Sequence, residues 1–374
     1  MKRSCALRKN KLKLFVMTID KLLEITVNRK ASDLHLVMGM PPMLRVDNQL
    51  TPILNVESLS AETAEQLVMA MLNNEQREMF LVNKELDFSF SYQQDARFRV
   101  NAYYQKGSVA AALRLLPAKI PTVAELNLPE ICHTFAQLKQ GFILVTGPTG
   151  QGKSSTLAAI INEINQTRAE HIVTIEDPIE YVFDHQQSMV SQREIRSDTH
   201  SWRIALRSCL REDPNVVMVG EMRDLETIAA GLTVAETGHL VFATLHTNSA
   251  GQSLDRIVDV FPEQQQAQVR MQLSNTLEAV LSQRLLPCLE GGRIPATEIL
   301  VATGAVRNTI REGKTHLIDN IIQTSAEVGM MTLEMNLAQL VAEGKISLDV
   351  AKAYAMRPQS LMRLLSSKPV KSKG

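Results

Sequence analysis

Aromatic residues are scarce: Phe, Trp and Tyr make up 4% of the 374 residues, and there is one tryptophan. Proteins that grip single-stranded nucleic acid need aromatic platforms beside a basic groove. The 40 Lys+Arg are balanced by 40 Asp+Glu, so no net charge draws the chain onto nucleic acid or an anionic surface. Nucleic acid is therefore not expected as a partner. Cys5, Cys132, Cys209 and Cys288 stand far apart with no CxxC pair. That argues against a disulfide framework or a zinc ribbon and fits a reducing compartment. No apolar run approaches the roughly 18–20 residues that cross a bilayer, so no transmembrane segment is expected.

Hydrophobic residues amount to 45%, enough for a sizeable core. The length exceeds one typical domain of about 100–200 residues, which predicts two or three domains. Residues 1–16, "MKRSCALRKNKLKLFV", are basic, with a very short apolar part and no small-residue cleavage site. They do not read as a secretory signal. They are expected to be an extension upstream of a natural start at Met17, or a loose basic tail.

Residues 17–118 read as a small α+β domain, with helix-like periods at 18–30 and 61–81. "LDFSFSY", "RFRVNAYY" and "VAAALRLL" predict an antiparallel meander. Residues 119–125 lie in a proline-punctuated linker. Over 126–302 strands alternate with helices, which predicts an α/β domain with a mostly parallel sheet. Its strands are "FILVTG", "HIVTIED", "NVVMVGE" and "HLVFATLH". Residues 303–374 read as helical, with Leu333, Leu337, Leu340 and Val341 at helical spacing.

Gly147, Pro148, Thr149, Gly150, Gln151, Gly152, Lys153 and Ser154 fill every position of GxxxxGK[ST], and Ser155 follows. An apolar strand precedes them and an amphipathic helix follows. Glycines let successive backbone N–H groups curl around phosphate oxygens at a helix N-terminus. Lys153 then reaches the outer phosphates and the Ser154 hydroxyl ligates Mg²⁺. The pattern predicts an ATP-binding loop facing solvent. Glu221, just beyond one strand, and Glu176, Asp177 and Glu180, at the end of another, are candidates for orienting water or metal. His239 and His246 bracket the fourth strand. A zinc pair there would need a cysteine at ligand spacing, and there is none. A polar group sensing the γ-phosphate or bridging to Glu221 is the expected role.

Taken together, the loop, the acidic segment 176–180, "GEMRD" at 220–224 and the segment from His239 to His246 resemble the secretion ATPase superfamily. Asn215 stands where that family commonly has aspartate. Within it, "ASDLHL", "RFRVNA", "AETGHLVF", "LHTNSA", "DRIVDVFP" and "AVRNTIREG" resemble the type IV pilus retraction ATPases, over residues 17 to about 354. The resemblance implies a RecA-like P-loop domain preceded by a PAS-like α+β domain, assembled as a homohexamer that binds ATP and Mg²⁺. It implies that Lys153 and Ser154 hold nucleotide and metal, and that Glu221 is the catalytic carboxylate. Glu176 would help hold metal or water. His239 and His246 would couple the site to the strand behind it. Arg97, Arg99 and Arg114 would approach the phosphates, in some cases from a neighbouring subunit. The implied partners are an inner-membrane platform protein of the pilus machine and an accessory retraction ATPase. The implied location is cytoplasmic, at the inner face of the membrane.

Accessory retraction ATPases share this architecture. Pilus-extension and type II secretion ATPases share the catalytic set, but commonly carry a tetra-cysteine insert that is missing here. A nucleotide-binding scaffold without turnover would not need both Lys153 and Glu221. Read as a helix, "AVRNTIREG" buries Val306 with Ile310 and turns Arg307, Asn308, Arg311 and Glu312 outward. It resembles the family's AIRNLIRE motif, with Thr309 for a leucine and Gly304 where proline is common, and is expected to transmit force.

Overall fold

The computed structural model describes residues 18–46, 49–92, 96–116 and 119–367. The extension expected at residues 1–16 lies outside them. The described residues form two compact units, one ending at Leu116 and the other starting at Lys119.

The first unit is built on β1 (Asp33–Leu36), β2 (Met43–Val46), β3 (Gln49–Pro52), β4 (Glu85–Tyr92), β5 (Ala96–Gln105) and β6 (Ser108–Leu115). They pair antiparallel in the order β3-β2-β1-β6-β5-β4. The expected meander is β4–β5–β6. Its β5–β6 hairpin closes on Lys106 and Gly107, with φ 47° and 77°. Two consecutive positive φ angles match the twist of the flanking strands. Leu22, Leu23, Leu34, Phe80, Phe98 and Leu113 are fully buried against the sheet. The single helical period read over 61–81 is two helices, Ala61–Met69 and Asn74–Asn83. A capping box separates them: the Gln76 N–H donates to the Asn73 side chain at 2.8 Å, and the Asn73 N–H to the Gln76 side chain at 3.0 Å.

The second unit carries β7 (Gly141–Thr146), β8 (His171–Glu176), β9 (Met189–Glu194), β10 (Val216–Val219), β11 (Leu240–Leu245), β12 (Leu277–Pro287) and β13 (Arg293–Val301). Their order is β13-β12-β7-β11-β10-β8-β9. All pairings are parallel except β12 with β13. Strands β7, β10 and β11 are buried along their whole length, as a sheet covered on both faces requires. Phe142 and Leu144 face one core and Ile143 and Val145 the other, the period-two alternation of a strand. The four strands read from the sequence are β7, β8, β10 and β11. Strand β12 was not among them because the helix Glu263–Thr276 runs into it at Leu277 without a turn residue.

Beyond β13 the described chain is helical. Leu333, Leu337 and Leu340 pack on Leu286, Ile294 and Ala296 of β12 and β13. The fold class expected from the sequence holds. No helix among the described residues is long and apolar enough to cross a membrane. Because β7, β8, β10 and β11 are parallel, Gly147, Glu176, Glu221 and His246 all emerge at one edge of the sheet, where such sheets gather ligands.

Candidate nucleotide site

The loop after β7 is shaped by Gly147 (φ 143°), Gly150 (φ 77°) and Gly152 (φ 81°), a region of backbone space where side chains are strained. A Cβ at Gly147 would strike the Gln283 carbonyl oxygen on β12, and one at Gly152 would press on the Gln283 amide. Gln283 also braces the loop. Its Nε2 donates to the Gln151 carbonyl at 2.7 Å, and its Oε1 accepts from the Thr156 hydroxyl at 2.7 Å. The Gln151 side chain in turn accepts from the Leu285 N–H at 2.6 Å.

Lys153 opens the helix Lys153–Thr167. The loop faces solvent at Thr149 and Gly150 as expected, but the Lys153 side chain turns under it and the residue is 8% exposed. Its Nζ donates to the carbonyls of Gly147 at 2.8 Å and Pro148 at 3.0 Å, and lies 3.4 Å from His246 Nδ1. Burial lowers the lysine's pKa, opposed by the charges of Glu221 and Glu180. His246 Nε2 lies 2.7 Å from Glu221 Oε1. The same carboxylate is held by Arg223, whose Nε and Nη2 donate at 2.6 and 2.8 Å. Burial pushes the Glu221 carboxyl up, but the Arg223 hydrogen bond and His246 outweigh it and hold it below the usual range. Thr149 Oγ1 lies 3.4 Å from His246 Nδ1. Ser155 does not turn into the loop; its hydroxyl meets the Tyr181 hydroxyl at 2.8 Å.

Ser154, Glu176, Gly220 and Thr244 line a cavity of about 30 Å³, the size of one water. Glu176 is buried, accepting from Thr174 Oγ1 at 2.7 Å and Gln192 Nε2 at 3.3 Å. Burial raises its carboxyl to about 7 against those hydrogen bonds. Ser154, Glu176 and Thr244 bring the side-chain oxygens a hard cation would need, in a lining that Leu157, Ala158, Phe183 and Met218 otherwise make apolar. Among the described residues no group of three or more His, Cys, Asp or Glu could hold a metal by itself.

The unit does not bring His239 to this cluster. It sits at the opposite end of β11, six strand residues away, and its Nδ1 meets the Val234 carbonyl at 3.1 Å and the Thr237 hydroxyl at 3.0 Å. There it ties down the turn that enters the strand.

Arg97, Arg99 and Arg114 belong to the first unit. Arg99 lies directly opposite Arg114, Arg114 opposite Asp33, and Asp33 opposite Arg45, in one row across four strands. Arg114 Nε donates to Asp33 at 2.9 Å, and Arg45 Nε lies 3.6 Å from the other Asp33 oxygen. Arg97 Nη2 donates to Ser89 at 2.6 Å. The register thus places Arg45, Arg99 and Arg114 in one row with Asp33 between two of them. Sequence reading missed Arg223 and Gln283. Arg223 was visible in "GEMRD" beside the carboxylate it holds, whereas Gln283 has a role only through the pairing of β12 with β7.

The family model described as "Type II/IV secretion system protein" matches residues 8–356. The chain is 47% identical over 344 residues to the type IV pilus retractation ATPase PilT of Pseudomonas aeruginosa, covering 92% of this chain and 100% of that one. It is 41% identical over 340 residues to the type IV pilus ATPase PilU of the same organism, covering 91% and 89%. Its structure is similar to the crystal structure of the pilus retraction motor PilT with bound ADP, with TM-score 0.87, 46% identity, and coverage of 93% and 99%. The chain belongs to the type II/IV secretion system protein family.

Proposed function

We propose that this chain is the subunit of a hexameric ATPase that couples ATP hydrolysis to retraction of type IV pili. It would work in the cytoplasm against a platform protein at the inner face of the membrane. The observation that carries the reading is the single cluster formed by Lys153, His246 and Glu221 at the edge of the parallel sheet. A loop built to surround phosphate lies beside a carboxylate placed to orient water.

The chemistry is phosphoryl transfer to water, in which the protein positions groups and stabilises charge. Lys153 exchanges the Gly147 and Pro148 carbonyls for phosphate oxygens. Glu221 orients the attacking water once Arg223 releases it, and His246 holds the carboxylate in place. Ser154 and Glu176 would hold Mg²⁺, which supplies charge stabilisation to the transferring group. Arg97, Arg99 and Arg114 would add positive charge, Arg114 from a neighbouring subunit. His239 is proposed to act only through the strand it precedes.

An accessory retraction ATPase, or a pilus-extension ATPase, would share every one of these groups. The higher identity to the PilT protein than to PilU supports the main retraction role. Two measurements test the reading. Purified protein should turn over MgATP, and cells lacking it should carry long pili that do not retract. Absent pili would move the assignment to extension, and no turnover would remove it.

A further inference from the structure

We propose that Glu298 is a positioning residue for His246, anchoring the connector that carries the histidine, and that Arg357 ties this anchor to the C-terminal helices. The proposal rests on the ATPase reading above.

Strand β11 ends at Leu245 and the next helix, Ala250–Asp259, begins after Ser249. His246 therefore rides on a four-residue bridge between the central sheet and a helix start. The first N–H groups of a helix have no acceptor within it. Here Ser249 Oγ accepts from the Gln252 N–H at 3.3 Å, and the Ala250 N–H donates to Glu298 Oε1 at 2.8 Å. Glu298 comes from β13, on the far edge of the sheet, and is 2% exposed. It fixes the far end of the bridge from outside the segment.

A buried carboxylate is a costly acceptor for one backbone N–H. Its second oxygen makes no hydrogen bond among the described residues, and Arg357 Nη2 stands 4.0 Å from it. Arg357 is shared. Its Nη1 pairs with Asp319 at 2.7 Å, and its Nε lies 3.4 Å from Glu334 Oε2. Its own N–H donates to Glu334 Oε1 at 2.8 Å. Glu334 is as deeply buried as Glu298. One guanidinium thus links the helix start behind His246 to two C-terminal helical segments, those of Asp319 and Glu334. Burial raises the Glu298 carboxyl to about 7, opposed by the Ala250 N–H and Arg357 and helped by Asp319 and Glu334. A neutral amide is therefore a close substitute for it.

The test uses full-length protein, with kcat for MgATP and the affinity for a fluorescent ATP analogue measured separately. Glu298→Met fills the space but leaves the Ala250 N–H without an acceptor. It should lower kcat about tenfold with nucleotide affinity within about twofold. Glu298→Gln keeps an acceptor oxygen and should hold kcat within about threefold of wild type. In a His246→Ala background, Glu298→Met should cost less than about twofold, because it acts through the histidine. Equal loss in both backgrounds overturns the proposal. So does wild-type kcat in Glu298→Met, or a Gln variant as slow as the Met variant. If Glu298→Met does not fold, Arg357→Gln replaces it. It should lower kcat about threefold in wild type and leave the His246→Ala protein unchanged; equal loss, or none, overturns. Failure of the ATPase reading looks different: wild-type protein itself shows no turnover, and the proposal falls with it.

Discussion

His246 Nε2 lies 2.7 Å from Glu221 Oε1 while its other ring nitrogen faces Lys153 at 3.4 Å. An ionised carboxylate only accepts, so Nε2 is the nitrogen that carries a proton toward Glu221. Histidine thus presents a fixed donor to Glu221. Glu221→Gln keeps the shape and loses the charge. Nucleotide should still bind, and single-turnover hydrolysis should slow by roughly 10²-fold or more, about 3 kcal/mol of barrier. If Glu176→Gln gives that phenotype and Glu221→Gln does not, the two roles are exchanged.

Lys153→Ala should abolish turnover. Because Nζ also bonds the Gly147 and Pro148 carbonyls from a buried position, the nucleotide-free protein should lose about 1–2 kcal/mol of stability as well. Calorimetry together with an ATPase assay checks both. Normal hydrolysis by the folded variant would sink the site assignment.

Arg307 departs from the expected outward face of "AVRNTIREG". Its guanidinium donates to the carbonyls of Ala302 at 3.0 Å, Ser274 at 2.9 Å and Asn275 at 3.0 Å, and to Glu278 at 2.8 Å. It clamps the end of the helix Glu263–Thr276 to β12 and β13. Asn308, Arg311 and Glu312 do remain exposed, and Val306 and Ile310 are buried as expected. Arg307→Ala should therefore cost about 1–3 kcal/mol, and Arg311→Ala almost nothing. Denaturant titration separates them. If only the Arg311 variant lost pilus retraction with normal turnover, the exposed face alone would carry force.

Arg114 is 69% exposed at its side chain despite the Asp33 pair. If it acts across a subunit boundary, mixing an Arg114→Ala chain with a Lys153→Ala chain should restore some turnover, since mixed interfaces pair intact halves. No rescue in confirmed mixed rings would confine Arg114 to its own subunit's fold.

Glu176 and Glu298 both have carboxyls raised to about 7 by burial. In that window the folded chain binds more protons than the unfolded one. Their contribution to stability is full below the ordinary carboxylate range and is lost as pH rises through about 7. Between pH 5 and 8 the melting temperature of nucleotide-free protein should fall more for wild type than for Glu176→Gln or Glu298→Gln. Parallel curves would contradict the burial argument.

The phosphate loop, Glu221 and His246 were legible because each is local: a strand end followed by a short polar signature. The parallel strands announced themselves as continuous apolar runs. The break between the helices ending at Met69 and starting at Asn74 was also written in the sequence, as Asn73 three residues before Gln76, but the surrounding period hid it. What stayed hidden is contributed from a distance. Gln283 reaches a carbonyl 132 residues away and Glu298 an N–H 48 residues away. Neither pairing leaves a periodic trace, because it arises only once β12 and β13 join the sheet. Arg307 misled for a related reason, since helical spacing assigns a face but does not say that a long side chain folds back over the helix end.

The crowding of Gly147 against β12 has a consequence for genetics. The obstacle to a side chain there is the Gln283 carbonyl, a main-chain atom. A second-site change at position 283 alters the side chain and leaves that oxygen in place. At Gly152 the neighbours are the ends of the Gln283 and Leu285 side chains, which smaller residues would withdraw. In a selection for restored motility, a Gly147 lesion should therefore yield true revertants with no intragenic suppressor at position 283. A Gly152 lesion should gain little from changes at 283 and 285, because φ 81° strains any side chain whatever the space, and a shorter residue 283 would lose its bonds to Gln151 and Thr156. Gly147 would then score in a mutational survey as severely as Lys153, although its role is to leave space for another strand.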